Sequence, residues 1–338
     1  LRPQDLGSAR AALARLALLG HDAARMAKPL EYNATLVERE DLTPALGVFR
    51  VRPDEALPGA GAWFVPGQYM VLGLNNEVRV ELGGVRRPMS IASAPERRDL
   101  VEFYIRYVDK PESENPFTHL LWPRKPGERM YVRVHPTGKF TVPDTVGADD
   151  RRLKVCLAAG TGLAPFLSMV RSEHINDPSR SLSDYVIIHG ASYSGDLGYR
   201  EELDELVERT GLRYLPTVSR PQQDPSWRGH TGRAESFFAP DRLAGLEDIL
   251  GLAPGGFRPD AVQILICGLQ GTIGQCIEQL VPRGFVPDNR KIRRALEIPE
   301  DHKPTIFYEA YDTIPPIDLE NTDHVAALKA AYRAATAG

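Results

Sequence analysis

The apolar pattern changes period once along the chain, and that change bounds what it can fold into. From residue 32 to about 144, apolar residues form short alternating runs at 32–37, 48–51, 68–74, 78–82, 100–108 and 129–134, divided by Gly, Pro and Asn. Such runs with no long helices between them predict an antiparallel barrel or sandwich. Asn75-Asn76 and Gly83-Gly84 read as hairpin turns within it. Past a polar linker at 145–152, apolar strands at 153–157, 185–189, 212–218 and 262–267 alternate with helical patterns at 166–173, 200–209 and 273–281. That alternation predicts βαβ units and a parallel sheet covered on both faces. Residues 1–28 carry Leu6, Leu13 and Leu16 at helical spacing and predict one amphipathic helix. The last forty residues, rich in Pro and aromatics and then in Ala, read as a tail over the body.

At 338 residues there is room for two cores, and hydrophobic and charged fractions of 42% and 25% exclude disordered and membrane classes. The most apolar run, 11–19, is interrupted by Arg15 and is too short to span a bilayer, so a cytoplasmic protein is expected. Cys156, Cys267 and Cys276 have no metal or iron–sulfur spacing and are expected to be reduced and buried. The net charge of −4 conceals a basic stretch over 86–139 and an acidic one over 196–208. These are either solvated faces or a basic rim that steers an acidic partner.

Two segments carry chemistry. Arg86-Arg87-Pro88-Met89-Ser90-Ile91-Ala92-Ser93 reads as a strand end that sets a cation and small hydroxyls beside an anionic ligand. Gly160-Thr161-Gly162-Leu163-Ala164-Pro165 follows an apolar strand and opens a helix, where N–H groups favour phosphate. Pro165 stands where a dinucleotide fingerprint has its third glycine, so a plain turn with proline in the first helical turn is the alternative. Taken alone, Arg87 reads as a surface or salt-bridge arginine. Ligands of parallel sheets sit beyond the strands' carboxyl ends, where Gly160, Gly190, Ser219 and Gly268 fall.

The barrel with Arg-x-x-Ser, the α/β part with Gly-Thr-Gly-Leu-Ala-Pro and the late Cys267-Gly268 together resemble the ferredoxin–NADP⁺ reductase family in its bacterial form, over roughly residues 32–286. The resemblance implies a two-domain fold: an FAD-binding β-barrel at 31–148 and an NADP-binding α/β domain at 149–288, with extensions at 1–30 and 289–338. It implies that Arg87 holds the FAD pyrophosphate, that Ser90 lies beside flavin N5, and that Pro88 and Met89 between them contact the cofactor. Met89 departs from the family's stacking tyrosine. Tyr104, Ile105 and Arg106 would contact the adenylate part, and Gly138-Lys139-Phe140-Thr141 would form a second phosphate-proximal turn. Thr161 and Gly162 would lie where flavin and nicotinamide meet. Ser219, Arg220 and Arg233 would clamp the 2′-phosphate of NADP(H), where a strand-end acid would favour NAD. Cys267, Gly268, Leu269 and Gln270 would line the nicotinamide site, the cysteine as a contact and not a nucleophile. Phe307, Tyr308 or Tyr311 would cover the flavin, or simply anchor the tail, and Glu309 would relay a proton.

The implied reaction is hydride transfer between nicotinamide C4 and flavin N5, exchanging electrons with an acidic one-electron carrier, ferredoxin or flavodoxin. No metal, nucleic acid or membrane enters it. Alternatives are the reductase component of an oxygenase, a flavin-binding electron-transfer subunit of a larger complex, and a non-catalytic nucleotide-binding module.

Overall fold

The structure is a computed structural model and describes residues 29–337; the helix expected over 1–28 lies outside the described residues. Six strands build the first sheet: β1 (Ala34–Thr43), β2 (Leu46–Pro53), β3 (Tyr69–Asn75), β4 (Gly84–Ser90), β5 (Val101–Arg106) and β6 (Arg129–Thr137). They run antiparallel in the order β4-β3-β6-β1-β2-β5. An antiparallel bridge between Ile91 and Phe103 joins the two outer strands and makes the sheet barrel-like. Alternation along the strands sends Leu36, Phe49, Val51, Met70, Leu72, Phe103 and Val132 into one buried cluster. Helix α1 (Phe117–Leu121) plugs this barrel with Phe117 and Leu121.

Two local expectations fail here. The run 78–82 is a 3-10 turn at Val80–Leu82 with Val78 91% exposed, because both valines lack a covering layer. Asn75-Asn76 and Gly83-Gly84 are not two hairpin turns. They close the two ends of one connection between β3 and β4, where Asn76 N donates to Gly83 O at 3.0 Å.

The second sheet is parallel, in the order β10-β9-β8-β7-β11-β12. Its strands are β7 (Leu153–Ala159), β8 (Tyr185–Ala191), β9 (Arg213–Val218), β10 (His230–Thr231), β11 (Val262–Gly268) and β12 (Ile306–Ala310). The helices are α2 (Ala164–Asn176), α3 (Arg200–Thr210), α4 (Leu243–Leu250), α5 (Gln270–Leu280), α6 (Arg290–Ala295) and α7 (Thr322–Thr336). The expected tail is therefore partly integral: β12 pairs with β11 from Ile264↔Ile306 to Gly268↔Ala310. The five-residue run Ile306–Ala310 was hidden among prolines and aromatics. One face of this sheet is covered by α4, α5 and α7 residues such as Leu246, Ile277 and Leu328. On the other, Phe166, Leu167 and Leu206 pack in one cluster with Leu46, Val48, Tyr104 and Phe140 of the barrel. A continuous apolar seam thus fixes the two sheets against each other. No helix among the described residues is long and apolar enough to cross a membrane.

Candidate active site

The carboxyl end of the parallel sheet comes closest to the barrel where β7 and β11 end. Gly160–Leu163 forms a single 3-10 turn before α2, and Gly160 adopts a left-handed φ of 56°. A Cβ on Gly162 would lie 2.0 Å from Cys267 O, so only glycine lets the turn pass this close to β11. Buried His189, at the end of β8, donates from Nε2 to Gly160 O at 3.1 Å, which leaves Nδ1 to accept from the Tyr214 hydroxyl at 3.2 Å. Burial lowers its pKa to about 4, so the ring is neutral and acts as a strut under the turn.

Against this turn four side chains converge from three distant parts of the sequence. Ser90 Oγ, at the end of β4, lies 3.0 Å from Glu309 Oε2 on β12, across 219 residues of chain. Parallel register sets Glu309 beside Cys267. Burial raises the Glu309 carboxyl from 4.5 to about 7, opposed only in part by the Ser90 hydrogen bond. The Cys267 thiol is fully buried and raised well above its ordinary value, first by burial and then by the Glu309 charge. Tyr311 donates from its hydroxyl to Thr161 O at 3.0 Å. Its ring stays partly open to solvent, with 42% of the residue exposed, while burial of the hydroxyl end raises its pKa. This places Ser90, Thr161, Gly162, Cys267, Glu309 and Tyr311 together. Tyr308 is not among them. Strand alternation turns it to the opposite face of the sheet, where its hydroxyl accepts from Asn289 Nδ2 at 2.7 Å, and Phe307 is buried in the seam.

On the barrel side, β4 is bonded along its length to β3 alone, so much of its other edge is open. Arg87 is exposed and uses one N–H on Arg86 O at 2.9 Å. Register pairs Arg87 with Leu72, Met89 with Met70 and Ser90 with Tyr69. Arg87 and Met89 therefore share one face while exposed Pro88 and Ser90 share the other, and Met89 packs against the barrel core. Tyr69 is a residue that sequence reasoning missed. It neighbours Ser90 and lies under Gly138, whose φ is 114° and whose Cβ would sit 3.0 Å from the Tyr69 ring. Lys139 is exposed beside it, whereas Phe140 is buried and the Thr141 hydroxyl is spent on Asp144 at 2.7 Å.

The block 104–106 lies where the barrel meets the parallel-sheet half. Ile105 points into the barrel core. Tyr104 is 4% exposed, and its hydroxyl donates to Asp196 O at 3.2 Å and accepts from Gly198 N at 3.1 Å. Arg106 lies 3.7 Å from the buried Asp196 carboxylate. The outer face of β5 is therefore consumed by docking to the segment before α3. Glu102 extends that docking, accepting from Arg50 at 2.7 Å, Arg171 at 2.7 Å and the Tyr199 hydroxyl at 3.0 Å. The basic rim is reduced by ion pairs within the barrel itself. Arg124 pairs with Glu77 at 2.8 Å and Arg129 with Asp54, while Arg86, Arg87, Arg133 and Lys139 remain exposed.

At the far end of the sheet edge, Ser219 N donates to Ala191 O and Arg220 N to Ser192 O, stapling the loops after β8 and β9. Arg220 and Arg233 are exposed; Arg233 has only a 3.6 Å contact with Glu235. A Cβ on Gly268 would lie 2.9 Å from Ala159 Cβ, and Leu269 is 59% exposed at the entry to α5. Gln270 N donates to Asp312 Oδ2 at 3.0 Å, a helix cap supplied by the loop after β12 that sequence reasoning also missed. Among the described residues no group of His, Cys, Asp and Glu could hold a metal.

The pattern of the oxidoreductase NAD-binding domain matches residues 156–276. The chain is similar to the reductase subunit of an aromatic O-demethylase from Amycolatopsis sp., 32% identical over 209 residues that cover 62% of this chain and 57% of that one. It is also similar to a ferredoxin–NADP reductase of Azotobacter vinelandii, 28% identical over 255 residues covering 69% and 86% of the two chains. Among solved structures, a ferredoxin NADP⁺ reductase from Neisseria gonorrhoeae with bound FAD and NADP superposes with a TM-score of 0.64 at 20% identity, covering 83% of this chain and 98% of that one. With a barrel followed by a parallel sheet that carries an oxidoreductase NAD-binding domain, the chain has the two-domain fold of the ferredoxin–NADP⁺ reductases to which it is similar.

Proposed function

We propose that the protein is an FAD-dependent reductase that exchanges electrons between NADP(H) and a one-electron carrier protein, ferredoxin or flavodoxin. The observation that carries this reading is the Ser90–Glu309 pair beside Thr161 and Cys267, where the barrel meets the carboxyl edge of the parallel sheet. The residues present fit FAD. An open strand edge at β4, the guanidinium fork of Arg87 and a Tyr69–Gly138 platform suit an extended dinucleotide lying along β4 and wrapping its edge. When bound, FAD supplies the ability to take an electron pair from NADPH and to release single electrons.

The chain's own groups would hold the ring and one proton. With a carboxyl pKa near 7, Glu309 is close to half ionised at neutral pH. When protonated it can donate to Ser90 Oγ, freeing the serine hydroxyl to donate to an acceptor nitrogen in front of it. When ionised it accepts from Ser90 instead. The pair therefore moves a proton toward or away from the ring without changing its heavy-atom geometry. Cys267 stays a neutral thiol and supplies shape. Tyr311, tied to Thr161 O by its hydroxyl, would cover the ring. Ser219, Arg220 and Arg233 would receive the 2′-phosphate and set the preference for NADP(H).

A second reading, the reductase component of an oxygenase, has its own support in the likeness to the Amycolatopsis O-demethylase reductase subunit. Both readings share the nucleotide half-reaction and differ in the acceptor. An anaerobic titration of the purified protein with NADPH and then NADH, read by visible absorbance, tests the shared half. Bleaching of a yellow protein by NADPH in preference to NADH is expected; a colourless protein, or one blind to both nucleotides, would refute it. Reduction of added ferredoxin or flavodoxin then separates the readings, since an oxygenase-specific reductase reduces neither.

A further inference from the structure

Arg220 is exposed and sits on the short loop after β9, where a free arginine would sample many rotamers. It does not lie free. Its NH1 donates to the Tyr193 hydroxyl at 3.0 Å, and the guanidinium stands over the Tyr193 ring with 5.7 Å to the centroid. The same hydroxyl donates onward to Gln223 Oε1 at 2.8 Å. Tyr193 is itself fixed on both sides. Ser194 N donates to buried Asp224 at 2.6 Å, and Arg220 N donates to Ser192 O at 3.1 Å. The two βα loops thus form one frame, with the phenol at its centre. Tyr193 takes a single N–H of Arg220. No protein acceptor among the described residues takes the guanidinium's remaining N–H groups, which keep the fork geometry that matches a phosphate.

We infer that Tyr193 is a positioning residue for nucleotide selection: it holds the Arg220 guanidinium in place for the 2′-phosphate of NADP(H), and so contributes to discrimination against NAD(H) without touching the phosphate itself. This rests on the proposed role of Arg220 as a phosphate ligand. The tyrosine that accepts one N–H orients the rest and removes the rotamer cost that binding would otherwise carry. Its contribution is confined to ligands bearing the 2′-phosphate.

The test is calorimetric binding of adenosine 2′,5′-bisphosphate and of 5′-AMP to the flavin-loaded wild type, Tyr193→Phe and Arg220→Ala. Tyr193→Phe keeps the ring and removes only the hydroxyl. It is expected to weaken the bisphosphate about 3- to 10-fold, the scale of one ordinary hydrogen bond, and to leave 5′-AMP unchanged. Arg220→Ala is expected to weaken the bisphosphate more than that, again sparing 5′-AMP. If Arg220→Ala weakens the bisphosphate and Tyr193→Phe binds it like the wild type, the positioning role is overturned while the phosphate site stands. If Arg220→Ala has no effect, the phosphate site is overturned and the inference falls with it. An equal loss for both ligands in Tyr193→Phe would show a loop that has collapsed rather than a guanidinium that has lost its guide, and would also overturn the inference.

Discussion

Replacing Glu309 with glutamine should change the pH dependence of stability in a calculable direction. The carboxyl is raised from 4.5 to about 7 because burial beside Cys267 disfavours the charged form, opposed only in part by the Ser90 hydrogen bond. Below pH 4.5 the carboxyl is protonated in both folded and unfolded chains, and the two states differ by nothing. Between 4.5 and 7 the unfolded chain ionises while the folded one keeps its proton, so the wild type loses stability as pH rises, by about 1.4 kcal/mol per pH unit. Above 7 both states are ionised and the loss stops growing, at about 3 kcal/mol. Glutamine never ionises and escapes this loss, and every other titrating group cancels between the two proteins. Glu309→Gln should therefore gain on the wild type steadily from pH 5 to 7 and hold a constant lead from 7.5 to 9. Urea unfolding of both proteins as purified, followed by tryptophan fluorescence at half-unit pH steps, measures the difference. A difference independent of pH across 5 to 9 would refute the claim that this carboxyl is held neutral by its surroundings.

Other perturbations test other parts of the site. Arg220→Ala and Arg233→Ala should raise KM for NADPH about tenfold or more while sparing NADH, since each removes a charged phosphate contact; an unchanged ratio in steady-state kinetics would sink the NADP preference. Gly162→Ala should cost more than about 2 kcal/mol, because its Cβ would meet the Cys267 carbonyl with no flexible side chain to yield; a thermal midpoint equal to wild type would contradict the close approach. Arg171→Met should destabilise by about 1–3 kcal/mol, as it removes one of the two guanidinium partners of buried Glu102, which keeps Arg50, and the 2.6 Å partner of half-exposed Glu202. All three thiols are buried and raised, so a thiol reagent should label none in the native protein and all of them in urea.

Much of the fold was legible because period is a local property. The strands β7, β8 and β11 are buried along most of their length and β9 along half of it, and their apolar runs read as such. β12 was not legible, since five residues with a carboxylate among them become a strand only when Gly268 and its neighbours are there to pair. Gly160, Gly162, Ser90 and Cys267 could be found because short motifs carry them. The link from Ser90 to Glu309 could not, because no local pattern reports a contact across 219 residues. Tyr69 had a signal that went unused: a half-buried tyrosine opening an apolar strand just after Gly67, whose φ is 99°. The docking of Tyr104 and Arg106 onto the segment before α3 carried no local signal. An alternating strand shows that one face is outward, and nothing local says whether that face meets solvent, ligand or another domain.

The answer for β5 has a consequence for how the site works. Glu102, Tyr104 and Arg106 alternate along one face, and all three engage residues 196–199 at the entry to α3. Tyr199 accepts a left-handed φ of 60° there, a conformation that costs a non-glycine residue about 1 kcal/mol. That cost is offset by its hydroxyl on Glu102 and by Arg171 over its ring at 5.0 Å. The segment so held is continuous with Tyr193 and Ser194, which frame Arg220. Ser90 sits at the end of a barrel strand and Glu309 on the parallel sheet, so their 3.0 Å contact exists only while the two sheets keep this alignment. The apolar seam sets the distance between the sheets, but apolar packing is tolerant of small slides. Directional bonds are not. The Glu102–Tyr104–Arg106 face is therefore the element that holds the Ser90–Glu309 pair and the loops after β8 and β9 in one register: each of its polar residues reaches a specific backbone or side-chain atom that a shift of one residue would move out of range.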